Sequence, residues 1–254
     1  MRIFPALGLL LFVSTAASAD MGAARSAYDA GHWEDAAAYA QESGGAEGYA
    51  YAAGALVTQL MTEPDYPDRR QLAQRAVQLA EYAYRQDRDS DEARLRLAIA
   101  LGYQGRFSNS FQAYIRGVPQ RGRSLLEGVI ADDPRNVWAL GTLGAWNLEV
   151  ARRGGGTGMQ ALGASVEAGT GFYSQAIALD PDNPALRYFL ALGLVALGDP
   201  DRFEMAHTQL DIALELTPRD AFEAGVQEEA VQLQSAFQTS RDAAIEWAND
   251  RMSR

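Results

Sequence analysis

The residues of this chain whose types and spacing could do chemistry make a short inventory. The densest run is Arg152-Arg153-Gly154-Gly155-Gly156-Thr157-Gly158. Backbone N–H groups of a glycine loop can cradle an anion, and two guanidinium groups would add charge. A phosphate loop, however, continues from its last glycine into Lys and then Ser or Thr, and here Met159-Gln160 follow. The run therefore reads as a flexible hairpin connection, with Arg152 and Arg153 at the negative end of a helix dipole. Acid pairs stand at Glu34-Asp35, Asp132-Asp133 and Glu228-Glu229. Paired carboxylates serve as acid and base where a cleft shifts their pKa values. These pairs fall at turns or on polar helix faces and read as solvated. His32 falls in a turn and His207 on a polar part of a helix. No catalytic, cofactor-binding or metal-binding residue is assigned.

Composition narrows the chemistry further. The 254 residues carry a formal net charge of −11, with 22 basic residues that are all Arg, two His and no Cys. Without Cys there is no disulfide, thiolate nucleophile, Cys-based zinc site or iron–sulfur cluster. Without Lys there is no Schiff base and no phosphate-loop lysine. The acidic balance opposes general nucleic-acid binding, which draws on displaced counterions.

The elements that hold these residues begin with an address. Met1 and Arg2 give a positive start, Ile3 to Val13 an apolar run, and Ala17-Ser18-Ala19 a small-residue cleavage site before Asp20. That is the three-part pattern of a secretory signal peptide, residues 1–19. The run falls short of the roughly 20 apolar residues that span a bilayer. No Cys follows the cleavage site, so a lipid anchor there is excluded. The expected product is exported, and periplasmic if the source is a Gram-negative bacterium.

Residues 20–254 read as one all-α domain. Alanine occurs 46 times, and apolar residues recur at spacings of three and four, as in Leu95, Ala98, Leu101 and again in Leu186, Phe189, Leu190 and Leu194. Four helix ends repeat one pattern: a small or apolar pair, an acidic or polar stop, then a capping residue. The caps are Ser90, Asn136, Asn183 and Asp220, and Pro stands at the stop in three of the four, as Pro134, Pro181 and Pro218. The residue before proline is pushed out of the α region, and Ser, Asn or Asp then accepts the free N–H groups of the next helix. Each following helix carries a small residue at its eighth position, Ala98, Gly144 or Ala191, and partner helices answer with Ala76, Gly122, Gly169 and Ala206.

This pattern resembles the tetratricopeptide repeat (TPR), a 34-residue helix hairpin with small residues at positions 8 and 20 and proline at 32. The likeness covers about residues 21–220. Spacing departs from it: the stops lie 46, 47 and 37 residues apart. The excess falls around residues 104–119 and 152–164, so the hairpins are lengthened. Residues 221–252 carry no further stop and read as a capping pair of helices, which a solenoid end requires. The expected fold is thus an all-α helix-hairpin solenoid with lengthened hairpins and a C-terminal capping pair.

The resemblance implies a concave groove lined by the first helix of each hairpin. Carried across by position, it is lined by Leu95, Ile99 and Tyr103, by Trp138 and Glu149, and by Tyr188 and Leu192. These positions lack the Lys, Arg and Asn of carboxylate-reading members, so the face suits either an apolar partner or the chain's own cover, with Trp138 and its neighbours packed under the lengthened hairpins or the C-terminal helices. Arg94 and Arg187 stand where the family often has Trp, and a buried Arg needs a partner; Glu149 or a nearby Asp is the candidate. The core Leu143-Gly144-Ala145-Trp146-Asn147-Leu148-Glu149 is also similar to the TPR-like soluble component of TRAP solute transporters. The expectation is an exported scaffold or adaptor that binds a protein or peptide without catalysis. A small-ligand carrier serving a transporter is the alternative, and a carboxylate-based hydrolase the second. No nucleic acid, membrane span or cofactor is expected.

Overall fold

The computed structural model describes residues 16–253, all helix and connection, so the expected leader lies for the most part outside the described residues. Among the described residues six helix hairpins follow one another. They are α1 (Ala16–Asp29) with α2 (Trp33–Ser43), α3 (Gly45–Thr62) with α4 (Arg69–Gln86), and α5 (Asp91–Arg106) with α7 (Val118–Asp132), which enclose the short α6 (Ser110–Ile115). Then come α8 (Val137–Leu162) with α9 (Val166–Leu179), α10 (Pro184–Leu197) with α11 (Phe203–Glu215), and α12 (Ala221–Thr239) with α13 (Arg241–Ser253).

Local chemistry sets the joints. The side-chain oxygens of Ser90 and Asn136 accept from the N–H groups of Ala93 and Ala139, at 3.2 and 2.9 Å. Asn183 accepts from both Ala185 and Leu186, and Asp220 from Glu223 at 2.8 Å. All four residues marked by the repeated stop are thus helix caps, each satisfying orphan donors of the first turn. Small residues then let the hairpins close. A Cβ built on Gly144 would lie 2.7 Å from the Tyr173 ring and 3.0 Å from the Gly169 carbonyl oxygen. Gly122 differs from its partners: a Cβ there meets nothing within 4 Å, so α7 makes no close approach at that point.

Both lengthened hairpins depart from plain loops. The first contains α6. The second is helical on both sides of a break: α8 reaches Leu162, but at Gly155, with φ of 54° and ψ of −155°, the backbone leaves the helix in a conformation that suits glycine. Arg123 donates to the Leu162 carbonyl at 2.7 Å and fastens the far end of this helix to α7.

The first helices of the hairpins form an inner row. Along it α3 packs on α5, α5 on α8, α8 on α10 and α10 on α12. The row then returns on itself, since α12 also packs on α3 and on α1. A Cβ on Gly225 of α12 would stand 2.9 Å from Thr62 at the end of α3. The expected capping pair therefore does more than cover an end. It closes the solenoid into a ring.

Candidate functional site

The inner row carries all seven positions expected to line a groove. Leu95, Ile99 and Tyr103 on α5 and Tyr188 and Leu192 on α10 are buried. Tyr188 and Leu192 share one hydrophobic cluster with Phe222, Val226, Ala248 and Met252 of α12 and α13. Trp138 on α8 is half-buried and meets Phe222 edge to face, with ring centroids 5.7 Å apart. Around Trp138, Tyr188 and Leu192 the first-helix face is covered by the chain's own capping pair, whereas Leu95, Ile99 and Tyr103 belong to a second cluster with α3, α4 and α7. Apolar first-helix faces gain more by covering each other than by facing water, at about 25 cal/mol for each Å² of apolar surface removed.

Glu149 has an internal task. It accepts from Arg152 through two hydrogen bonds of 2.8 and 2.9 Å, and the same guanidinium reaches Asn249 of α13 at 3.2 Å. Arg94 pairs with Asp91 and Asp132 rather than with Glu149, and Arg187 binds the Pro181 carbonyl and Gln209. Trp146 donates its indole N–H to the Pro119 carbonyl at 3.0 Å. The segment Leu143 to Glu149 thus consists here of packing and bracing residues.

At the closing seam, two arginines meet the end of α3. Arg69 donates to the Leu60 and Glu63 carbonyls at 2.8 and 2.5 Å, and Arg251 donates to the Glu229 carboxylate and the Met61 carbonyl. Cations here complement the negative end of the α3 dipole and satisfy its last carbonyls. Burial, with the nearby charge of Arg251, lowers Arg69 to about 10, so it stays protonated at neutral pH. Burial pushes the Tyr188 phenol far above its ordinary range, and its hydroxyl finds no hydrogen-bond partner among the described residues. Neither Arg69 nor Tyr188 exchanges a proton near pH 7, and both arginines are spent on the end of α3.

The other sequence candidates resolve in the same way. Arg153 donates to the Gly105 and Ser108 carbonyls at 2.9 and 2.8 Å and to Ser110 at 3.2 Å, which ties the glycine stretch to the α5–α6 turn. Glu34 accepts from the Tyr66 hydroxyl, Asp132 holds Arg94, and Glu229 holds Arg251. His207 lies 3.1 Å from Asp211 with its ring against Phe237. Among the described residues no group of three or more His, Asp or Glu gathers as a metal-holding set.

Comparison with solved structures decides the fold. A thermophilic TPR protein of Thermus thermophilus, TTC0263, superimposes with a TM-score of 0.61 at 18% identity, over 85% of this chain and all of that one. This chain has the tetratricopeptide-repeat fold. An IFIT1 monomeric mutant with Gppp-AAAA also aligns, at a TM-score of 0.46 and 15% identity over 91% of this chain and 57% of that one. No family model and no curated protein matches the chain. Several large apolar side chains stay outside this packing.

Those residues were not singled out by the sequence reading. Phe111, Tyr114 and Ile115 on α6 are 71%, 40% and 66% exposed. A ring pair, Tyr49 on α3 and Tyr82 on α4, stands with centroids 4.2 Å apart, and Tyr82 is exposed. The signal for α6 was present as apolar residues at i, i+3 and i+4 inside an insertion where a regular repeat has a short turn.

Proposed function

We propose that the chain is an exported, non-catalytic TPR scaffold that holds a protein or peptide partner in the cell envelope. The observation that supports this reading is the closed inner row. Its polar side chains are spent on helix ends and ion pairs, and the stiff ring presents aromatic side chains outward, the Tyr49–Tyr82 pair among them. Tyrosine supplies large contact area at low conformational cost and is enriched where partners dock. A rigid scaffold also avoids the ordering cost of binding.

Photo-cross-linking in the native cell tests this. A photoreactive residue in place of Tyr82 is expected to give one dominant adduct, lost when Tyr49 is changed to Ala. If cross-linkers at exposed positions around the ring, Tyr39, Tyr82 and Val231 included, give no discrete adduct, the scaffold reading falls.

A further inference from the structure

The insertion between α5 and α7 differs in kind from the rest of the surface. In a chain of net charge −11, residues 93–126 contain no Asp or Glu and six Arg. At the centre of this stretch α6 presents Phe111 and Ile115, four residues apart on one helix face, with Tyr114 beside them. Beneath the tip lies a cleft of about 180 Å³ with Arg70 and Arg116 in its wall and no carboxylate lining it. Arg94, Arg96, Arg121 and Arg123 of the same stretch all have carboxylate partners. Arg70 and Arg116 have none among the described residues. Two like charges facing one cleft without a counter-charge define an acceptor for an external anion. The tip is also held firmly. Asn109 caps α6 through the Phe111 N–H at 2.9 Å, and Arg153 holds the preceding turn by three hydrogen bonds.

The geometry points to a membrane-surface contact. The tip of the insertion docks on an anionic phospholipid bilayer, with Phe111 and Ile115 in the headgroup–acyl boundary, Tyr114 at the interface, and Arg70 and Arg116 on lipid phosphates. A bilayer is favoured over an acidic protein by the shape of the tip. Protein partners need a complementary pocket and usually bury about 1,200–2,000 Å² in all. A six-residue helix with protruding side chains offers neither, whereas a bilayer accepts protruding apolar groups without shape matching. Apolar insertion combined with arginine–phosphate attraction is the two-signal arrangement that gives reversible surface binding. No described helix is long and apolar enough to cross a membrane, so the contact is peripheral. This inference does not depend on the scaffold reading.

The absence of Cys makes the test direct. Ile115→Cys and, as a control on α12, Val231→Cys each create a unique labelling site at an exposed position. With an environment-sensitive fluorophore attached, position 115 is expected to brighten and shift to the blue on adding vesicles of phosphatidylglycerol and phosphatidylcholine. Phosphatidylcholine alone, and position 231 with either vesicle, should give no change. Arg70→Gln and Arg116→Gln should each weaken partitioning about five-fold, and 1 M salt should largely abolish it. Circular dichroism of each variant verifies folding. A silent label at 115 with anionic vesicles overturns the proposal. So does an equal response at 231. A response to polyglutamate but not to vesicles would assign the surface to an acidic protein, and a response to inorganic phosphate alone would reduce it to an anion cleft; either overturns the bilayer contact.

Discussion

Arg251, near the end of the chain, donates a hydrogen bond to the main-chain oxygen of Met61, 190 residues earlier, while its guanidinium also pairs with Glu229. This one side chain joins α13, α12 and α3. It turns a stack of hairpins into a closed ring.

Removing that joint should be costly. Arg251→Ala leaves Glu229 buried without its cation, and breaking a buried pair from one side costs about 3–5 kcal/mol. Urea unfolding followed by circular dichroism is expected to show a large fall in midpoint. An unfolding free energy within about 0.5 kcal/mol of the parent would mean that the ring is closed by apolar contact alone.

Two glycines of the small-residue set, one on a first helix and one on a partner helix, should respond with opposite signs. Gly144→Ala drives a methyl group against Tyr173 and the Gly169 carbonyl, and overpacking of this kind costs about 1–3 kcal/mol. Gly122→Ala adds its methyl group to open space on a helix and should stabilise by about 0.5–1 kcal/mol, since alanine restricts the unfolded chain. Thermal melts of the two variants check the pair; a shared sign would refute the close approach at Gly144.

Tyrosine burial sets an alkaline limit. Burial pushes Tyr28, Tyr173 and Tyr188 above their ordinary value, and Tyr51 up to about 12. A folded pKa above the unfolded one contributes stability that is complete below about pH 10 and is lost as pH rises through the folded value. Absorbance of phenolate should therefore lag in the native protein and rise together with loss of helix. Tyr188→Phe removes a buried hydroxyl that has no partner among the described residues. It should leave stability at pH 7 unchanged or raise it by about 1 kcal/mol and extend the alkaline limit. A clear loss of stability would show that the hydroxyl has a hidden role.

The acid limit has a different origin. Arg219 donates to both carboxylate oxygens of Asp180, at 3.0 and 2.9 Å, and holds that carboxyl below its usual range. A lowered folded pKa contributes stability above the unfolded value of about 3.9, lost as pH falls through the folded value. Asp180→Asn should cost about 1 kcal/mol at pH 7, and the gap to the parent should vanish near pH 2. Denaturant midpoints across pH 2–7 measure it; a gap that persists at pH 2 would mean that the loss is one of packing rather than charge.

The joints of the fold were legible because each is local. Asn136, Asn183 and Asp220 cap helices through atoms two or three residues away, so their chemistry is visible in a short window. The ring was not legible. Tyr188, Leu192 and Trp138 look the same in sequence whether a partner or the chain's own α12 covers them, and the choice depends on curvature accumulated over six hairpins. The glycine stretch misled for a related reason. Several glycines in a row cost about 1 kcal/mol each in a helix, yet Arg123 reaches the end of α8 from 39 residues away, and Arg153, beside the glycines, reaches carbonyls 45 and 48 residues away, so both sides of Gly155 are held. At α6 the apolar residues are plain in the letters, but only the packing shows that they stay exposed among the described residues.

The returning inner row also bears on how such a chain can change over time. An open solenoid tolerates the gain or loss of one hairpin because each unit touches only its neighbours. Here a deleted or duplicated hairpin would carry Arg251 away from Met61 and Gly225 away from Thr62 at once. Repeat number is locked, and variation is confined to what can be inserted between the two helices of a hairpin, which is where α6 stands.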